Sequence, residues 1–204
     1  MSGFFNSENW FWKGFGRLAD YFLLSFCWLL CSIPLVTIGS ATIALYDSVA
    51  HCIRGNEPDF VKRFFTTFKK ELKRGILLTI LWVLLCFLLN FGYQVILQLA
   101  EGNSFWSLLS IAYFIMLLIP LGIICWLVAI ESRFAYSFKD LHTTALAFTF
   151  GHLPSTLAIV AILVLGLNFL RIFPFFIMLL PTVLLDLQAI FIERVFRKYI
   201  PEEA

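Results

Sequence analysis

Asp186 stands inside an apolar run, Pro181-Thr-Val-Leu-Leu-Asp-Leu-Gln188, where a carboxylate is costly to keep. An acid so placed either carries a proton or cation, or is held by a hydrogen bond to Asn90, Asn168 or the neighbourhood of Gln188. A single acid is thin ground for ion coupling, so the hydrogen-bonded reading leads. Asp47 and His51 are four residues apart, a spacing that puts both on one helix face, where the carboxylate can fix the imidazole tautomer or hold it charged. That is the chemistry of a pH sensor or proton relay. The same spacing near a helix end also makes an ordinary exposed pair, which is the expectation taken here. Missing sets narrow the field: there is no Gly-x-x-x-x-Gly-Lys-Ser/Thr, His-Glu-x-x-His, Gly-x-Ser-x-Gly or glycine-rich dinucleotide turn. No second aspartate lies deep in another apolar run, as paired-aspartate proteolysis inside a membrane would require. No catalytic residue, cofactor or metal ligand is assigned, and the chain reads as a non-enzyme. Cys27 and Cys31 are one helical turn apart, but no nearby His or second Cys pair completes a metal set.

The elements that carry these residues are apolar. Of 204 residues 61% are hydrophobic and 14% charged, too apolar a mixture for a compact domain dispersed in water. Mean hydropathy is +0.90. A helix needs about 20 apolar residues to cross a bilayer, and residues 75–100, 105–130, 154–170 and 173–195 reach or approach that length. Lys and Arg set the orientation. Residues 54–74 hold seven of the 15 basic residues and are placed in the cytoplasm. From there the chain crosses, turns at Glu101-Gly102-Asn103-Ser104, returns to a loop holding Arg133 and Lys139, and crosses twice more to end beside Arg194, Arg197 and Lys198. The C-terminus is expected inside. The basic residues flank membrane segments without interleaved stacking aromatics, so they are topology signals and no nucleic-acid partner is expected. Five cysteines, an odd number, sit in or beside apolar runs and read as reduced, buried small side chains.

Residues 21–50 are too long for one span and are broken by Pro34 and Gly39. Proline disfavours helix at Ile33 and glycine permits a turn, so 10–32 goes out and 40–53 comes back, the return being only about 21 Å long at 1.5 Å per residue and therefore tilted inside a bundle or re-entrant. Lys13, Arg17 and the N-terminus then lie inside; a single kinked span over 21–50 is the alternative. The first apolar segment carries no secretory cleavage pattern and is read as a retained anchor. In 60–74 the residues Phe60, Phe64, Phe65, Phe68 and Leu72 recur at helical spacing, with Lys62, Arg63, Lys69, Lys70, Lys73 and Arg74 on the other faces. This predicts an interfacial helix whose phenylalanines enter the acyl boundary while its cations meet anionic headgroups. The fold class is therefore all-α: a single integral membrane domain over 1–204, polytopic, with about six transmembrane helices (five in the alternative) and a cytoplasmic amphipathic helix. Phe138-Lys139-Asp140 opens a second helix-like segment leading to His152-Leu153-Pro154 and another span, a weak tandem echo of the first.

Leu30-Cys-Ser-Ile-Pro-Leu-Val-Thr-Ile-Gly-Ser-Ala-Thr-Ile-Ala-Leu-Tyr46, Ile53-Arg-Gly-Asn-Glu57 and Phe64-Phe-Thr-Thr-Phe-Lys-Lys-Glu-Leu-Lys-Arg-Gly75 resemble the YesL family of bacterial membrane proteins. Arg133-Phe134, Phe138-Lys139 and Leu153-Pro154 extend the resemblance more loosely. Where members of that family commonly carry a polar or basic residue before Leu-Pro, this chain has Gly151-His152. The resemblance implies no established activity. It implies association with carbohydrate ABC transporters and two-component sugar sensors, hence an accessory or regulatory role beside ABC permease subunits or a sensor histidine kinase in the bacterial cell membrane. On that reading Pro34, Thr37 and Gly39 shape a contact surface for a partner's helices, and Lys69, Lys70 and Lys73 form a docking or lipid-clamping edge. The competing class is a small-solute or proton-coupled permease with Asp47 and Asp186 along the path. Solute, partner and oligomeric state stay open.

Overall fold

Proline at 34 and threonine at 37 divide the first apolar stretch. Helix α1 (Trp10–Ser32) stops one residue short of the position that Pro34 restricts. A short 3₁₀ turn, Leu35–Thr37, then leads into α2 (Ile38–Ser48), which a π-helical turn, Val49–Ile53, continues. The Thr37 hydroxyl lies 2.6 Å from the Cys31 carbonyl and 2.7 Å from that of Pro34, so it supplies the donor that the broken helix has lost. Trp28 Nε1 donates to Thr42 Oγ1 at 3.1 Å and ties α1 to α2, so the break is a hairpin turn rather than a kink in one span.

The structure, a computed structural model, describes residues 10–55, 57–100, 104–134 and 136–199, with side chains from residue 16 onward except that of residue 104. The turn at Glu101-Gly102-Asn103 and the Lys13 side chain lie outside the described residues. After α2 come α3 (Phe60–Lys70), α4 (Leu72–Leu99), α5 (Ser104–Arg133), α6 (Phe138–Gly151), α7 (Leu153–Ile172) and α8 (Leu180–Phe196). No strand occurs among the described residues, and the protein is an all-α, polytopic helical membrane protein. Among the described residues four segments are long and apolar enough to cross a bilayer: Leu35–Ile53, Leu72–Ala100, Phe105–Arg133 and Leu153–Ile172.

Helix α2 is the hub, packed by α1, α3, α4, α5 and α8. Its start crosses the first turns of α4 at a contact of small residues. Gly39 N–H donates to Thr79 Oγ1 at 2.9 Å, and Ser40 Oγ donates to the Leu72 carbonyl at 3.2 Å. A Cβ on Gly75 would lie 2.6 Å from both the Cα and the backbone nitrogen of Ser40, so the backbones approach as closely as glycine permits. Beyond Thr79, α4 runs on for roughly 30 Å at 1.5 Å per residue. The start of α2 therefore lies beside the first turns of α4 and not beside its outer half.

Three expectations are corrected. Residues 60–74 are not one helix: α3 ends at Lys70, Glu71 has left helical geometry (φ −92°, ψ 7°), and Lys73 and Arg74 open α4. Most of the apolar face of α3 is covered by protein: Phe64 is fully buried against Leu24 of α1, Ala44 and Leu45 of α2 and Val49 of the π-helical turn, with Phe60 and Phe68 beside it, and Phe65 alone of the four phenylalanines is exposed. Protein interior and acyl chains reward the same face, and here the protein supplies it. Residues 173–195 are not continuous: Pro174 heads a 3₁₀ turn, Pro174–Met178, before α8 starts at Leu180.

The main core lies at the end of the bundle where α5 and α8 finish and α4 and α7 begin. Trp126, fully buried, donates through Nε1 to Thr156 Oγ1 at 3.0 Å and packs on Phe148 and Phe196. Away from this end the outer halves of α4 and α5 pair mainly with each other, through Tyr113 Oη donating to the Leu89 carbonyl at 3.2 Å and a Tyr93–Tyr113 stack. Their outward side chains, Phe87, Phe91, Leu108 and Ile111 among them, are exposed in the manner of a surface meant for acyl chains or other helices. The order of short helix, one-residue break, long helix and partner helix occurs twice, as α3 to α5 through Glu71 and as α6 to α8 through His152.

Candidate functional site

Four buried or half-buried carboxylates meet arginines at the core end of the bundle. Asp47, on the hub helix and 3% exposed, is the most enclosed. Arg63 of α3 grips it with a fork, Nε to Oδ2 at 2.9 Å and Nη2 to Oδ1 at 3.1 Å, and its third nitrogen reaches Glu57 at 2.6 Å. Thr67, one turn after Arg63, donates to Oδ2 at 2.6 Å, and His51 Nδ1 lies 3.0 Å from Oδ1. The hydrogen bond with Asp47 raises the Arg63 pKa further above its usual value despite partial burial, so the guanidinium stays charged. Asp47 and His51 do share a face, but as a closed, buried constellation locking α3 to α2 and not as an exposed surface pair.

Asp186 is held from two other helices. Arg54, just past α2, brings Nε to Oδ1 at 2.7 Å and Nη2 to the Asp186 carbonyl at 2.7 Å, while Tyr21 of α1 donates to Oδ2 at 3.0 Å. Asn90, Asn168 and Gln188 are not its partners; Gln188 bonds the Ile159 carbonyl and Asn168 the Val164 carbonyl. Glu193, two turns on, takes Arg133 Nη2 at 2.8 Å and the Tyr46 hydroxyl at 3.2 Å. Glu131, 4% exposed, pairs with Arg74 Nε at 3.0 Å, and Arg74 also reaches the Tyr136 carbonyl at 2.7 Å. These pairs join α1, α2, α4, α5 and α8 into one charged plate. Each of these four acids has an arginine within about 3 Å, so its charge is compensated locally.

The remaining sequence-derived candidates separate. Lys69 and Lys73 are exposed around the α3–α4 break, and Lys70 between them pairs with Glu71 at 3.1 Å. Pro34 lies exposed on the turn beside Ile33 and Leu35, whereas Thr37 is engaged in capping and Gly39 in the α2–α4 crossing. Sequence reasoning missed Arg63, Thr67, Arg54, Tyr21 and Glu193 as partners. Only the Arg63 and Thr67 pair left a signal, since their spacing of four places them on one face of α3.

Between α1, the end of α2, α5 and α8 opens a polar cleft of about 460 Å³, lined by Arg17, Tyr21, Arg54, Arg133, Asp186, Glu193 and Arg197. Residues 21–93, from α1 to the outer half of α4, match the model of a family described as "Protein of unknown function, DUF624". That stretch contains Tyr21, Gly39, Asp47, Arg54, Arg63 and Gly75, so both the hub crossing and the Asp47 constellation fall inside it. No curated protein and no solved structure matches the chain.

Proposed function

We propose that the protein is a non-enzymatic accessory subunit of the bacterial cell membrane, with both termini in the cytoplasm, that packs its α4–α5 hairpin against the transmembrane helices of a partner. The observation that carries this reading is a pair of amides on the outer half of α4. Asn90 and Gln94 lie one turn apart, exposed among Phe87, Leu88, Phe91 and Val95, and neither has a hydrogen-bond partner among the described residues. An amide facing hydrocarbon gains most from an amide, hydroxyl or backbone group on another helix. The YesL-like segment from Leu30 to Tyr46 supports a carbohydrate ABC permease or a sensor histidine kinase as that partner, with a role in uptake or in its regulation. Neutralisation of Asp47 and Asp186 by Arg63 and Arg54 favours this static role over a cation-coupled permease.

The test is co-purification of the tagged protein from its native membranes in mild detergent, with mass spectrometry of what accompanies it. Asn90→Leu with Gln94→Leu should lower recovery of a permease or kinase roughly sevenfold, since interhelical hydrogen bonds contribute about 0.6 kcal/mol each in membranes. Insertion should be unchanged. Recovery of the protein alone, or equal recovery with the double variant, would sink the reading. A cytoplasmic docking edge makes a separate prediction: Lys69→Glu with Lys73→Glu, both exposed and outside the ion pairs, should weaken partner recovery at low salt and lose its effect as salt screens the edge. Recovery that does not change at low salt would remove these lysines from the interface.

A further inference from the structure

We propose that the cleft at the charged end binds a phosphate oxyanion, through Arg17 and Arg197 on either side. The charge inventory carries the argument. Four arginines, Arg17, Arg54, Arg133 and Arg197, converge on one cleft from α1, the end of α2, α5 and the end of α8. Among the described residues the cleft holds two acids, and each is already engaged: Asp186 by Arg54 at 2.7 Å and Glu193 by Arg133 at 2.8 Å. Arg17 and Arg197 are exposed and have no ion pair among the described residues, which leaves two guanidiniums unmatched in a shared polar space.

A guanidinium fork matches the edge of a phosphate tetrahedron with two parallel N–H donors, which an ammonium cannot do, and all four cations here are arginine. The Tyr21 hydroxyl already donates to Asp186, and the acids of the adjoining pocket that Arg17 also borders, Asp20, Glu57 and Asp59, form no ion pair with it among the described residues. At about 460 Å³ the cleft has room for the group that carries the phosphate as well as for the oxyanion. Two sources share this chemistry. One is the phosphodiester of an anionic lipid, approaching where α1 and α8 meet the membrane surface; the other is a free phosphorylated solute. Either would bridge α1 to α8 across the plate of ion pairs and thereby couple the ligand to the way these helices are held.

The experiment uses the full chain in nanodiscs of phosphatidylcholine, to which either inorganic phosphate or a stated fraction of phosphatidylglycerol is added. Binding is read by thermal shift and by native mass spectrometry of retained lipid. Wild type should be stabilised saturably by one of the two. Arg17→Gln with Arg197→Gln should weaken the effect about tenfold or more, without disturbing the two ion pairs. Retention of phosphatidylglycerol that phosphate does not displace assigns the lipid source, and stabilisation by phosphate in pure phosphatidylcholine assigns the free solute. Arg194→Gln with Lys198→Gln removes the same charge at exposed positions of the same helix end that do not line the cleft. An equal loss in that control, unchanged binding in the Arg17 and Arg197 variant, or no saturable binding in wild type would overturn the proposal.

Discussion

Arg63→Ala should lower the thermal unfolding midpoint of the detergent-solubilised protein by roughly 6–12 °C, from a loss of about 3 kcal/mol. The reason is what remains rather than what is removed. Asp47 stays buried between α2 and α3 with only the Thr67 hydroxyl and the His51 ring to stabilise its charge, and water reaches almost none of it. Removing one partner of a buried pair therefore costs far more than an exposed pair is worth, about 0–1 kcal/mol. A double change, Asp47→Leu with Arg63→Leu, should recover a large part of the loss, because it withdraws the buried charge together with its partner. Tryptophan fluorescence melts of the two single variants and the double variant give the coupling. A double variant as unstable as the sum of its singles would show that the pair does not act as a unit.

Gly75→Ala should destabilise by about 1–3 kcal/mol, the reverse of the usual helix trend. In an unencumbered helix the same change stabilises by about 1 kcal/mol, because alanine loses less backbone entropy on folding. Here the new Cβ meets the Ser40 backbone at 2.6 Å, and backbone cannot swing aside as a flexible side chain would. The helices must separate, and the Gly39–Thr79 and Ser40–Leu72 hydrogen bonds lengthen with them. Gly16→Ala is the control: nothing lies within 4 Å of its Cβ position, so its midpoint should hold or rise. If Gly75→Ala behaves like Gly16→Ala in parallel melts, the α2–α4 crossing is looser than the geometry requires.

What the sequence by itself determined is the solvent and the segmentation. Apolar length and composition identify an all-α membrane chain, Pro34 ends α1, and the spacing from Phe60 to Leu72 makes the segment amphipathic. These are local properties, set by hydrophobic period and by the missing donor of proline. What only the tertiary structure decided is which surface covers each face. Phe64 packs on Leu24 and Leu45 instead of acyl chains, a choice that periodicity does not encode because both environments are equally dry. The ion pairs are equally illegible: Asp47 is matched 16 residues away, and Arg54 finds Asp186 across 132 residues. No repeat or spacing links such residues. Asp47 could be read as an exposed helix-end acid until α3 folded back along α2 and brought Arg63 and Thr67 over it, at which point burial made the pairing obligatory.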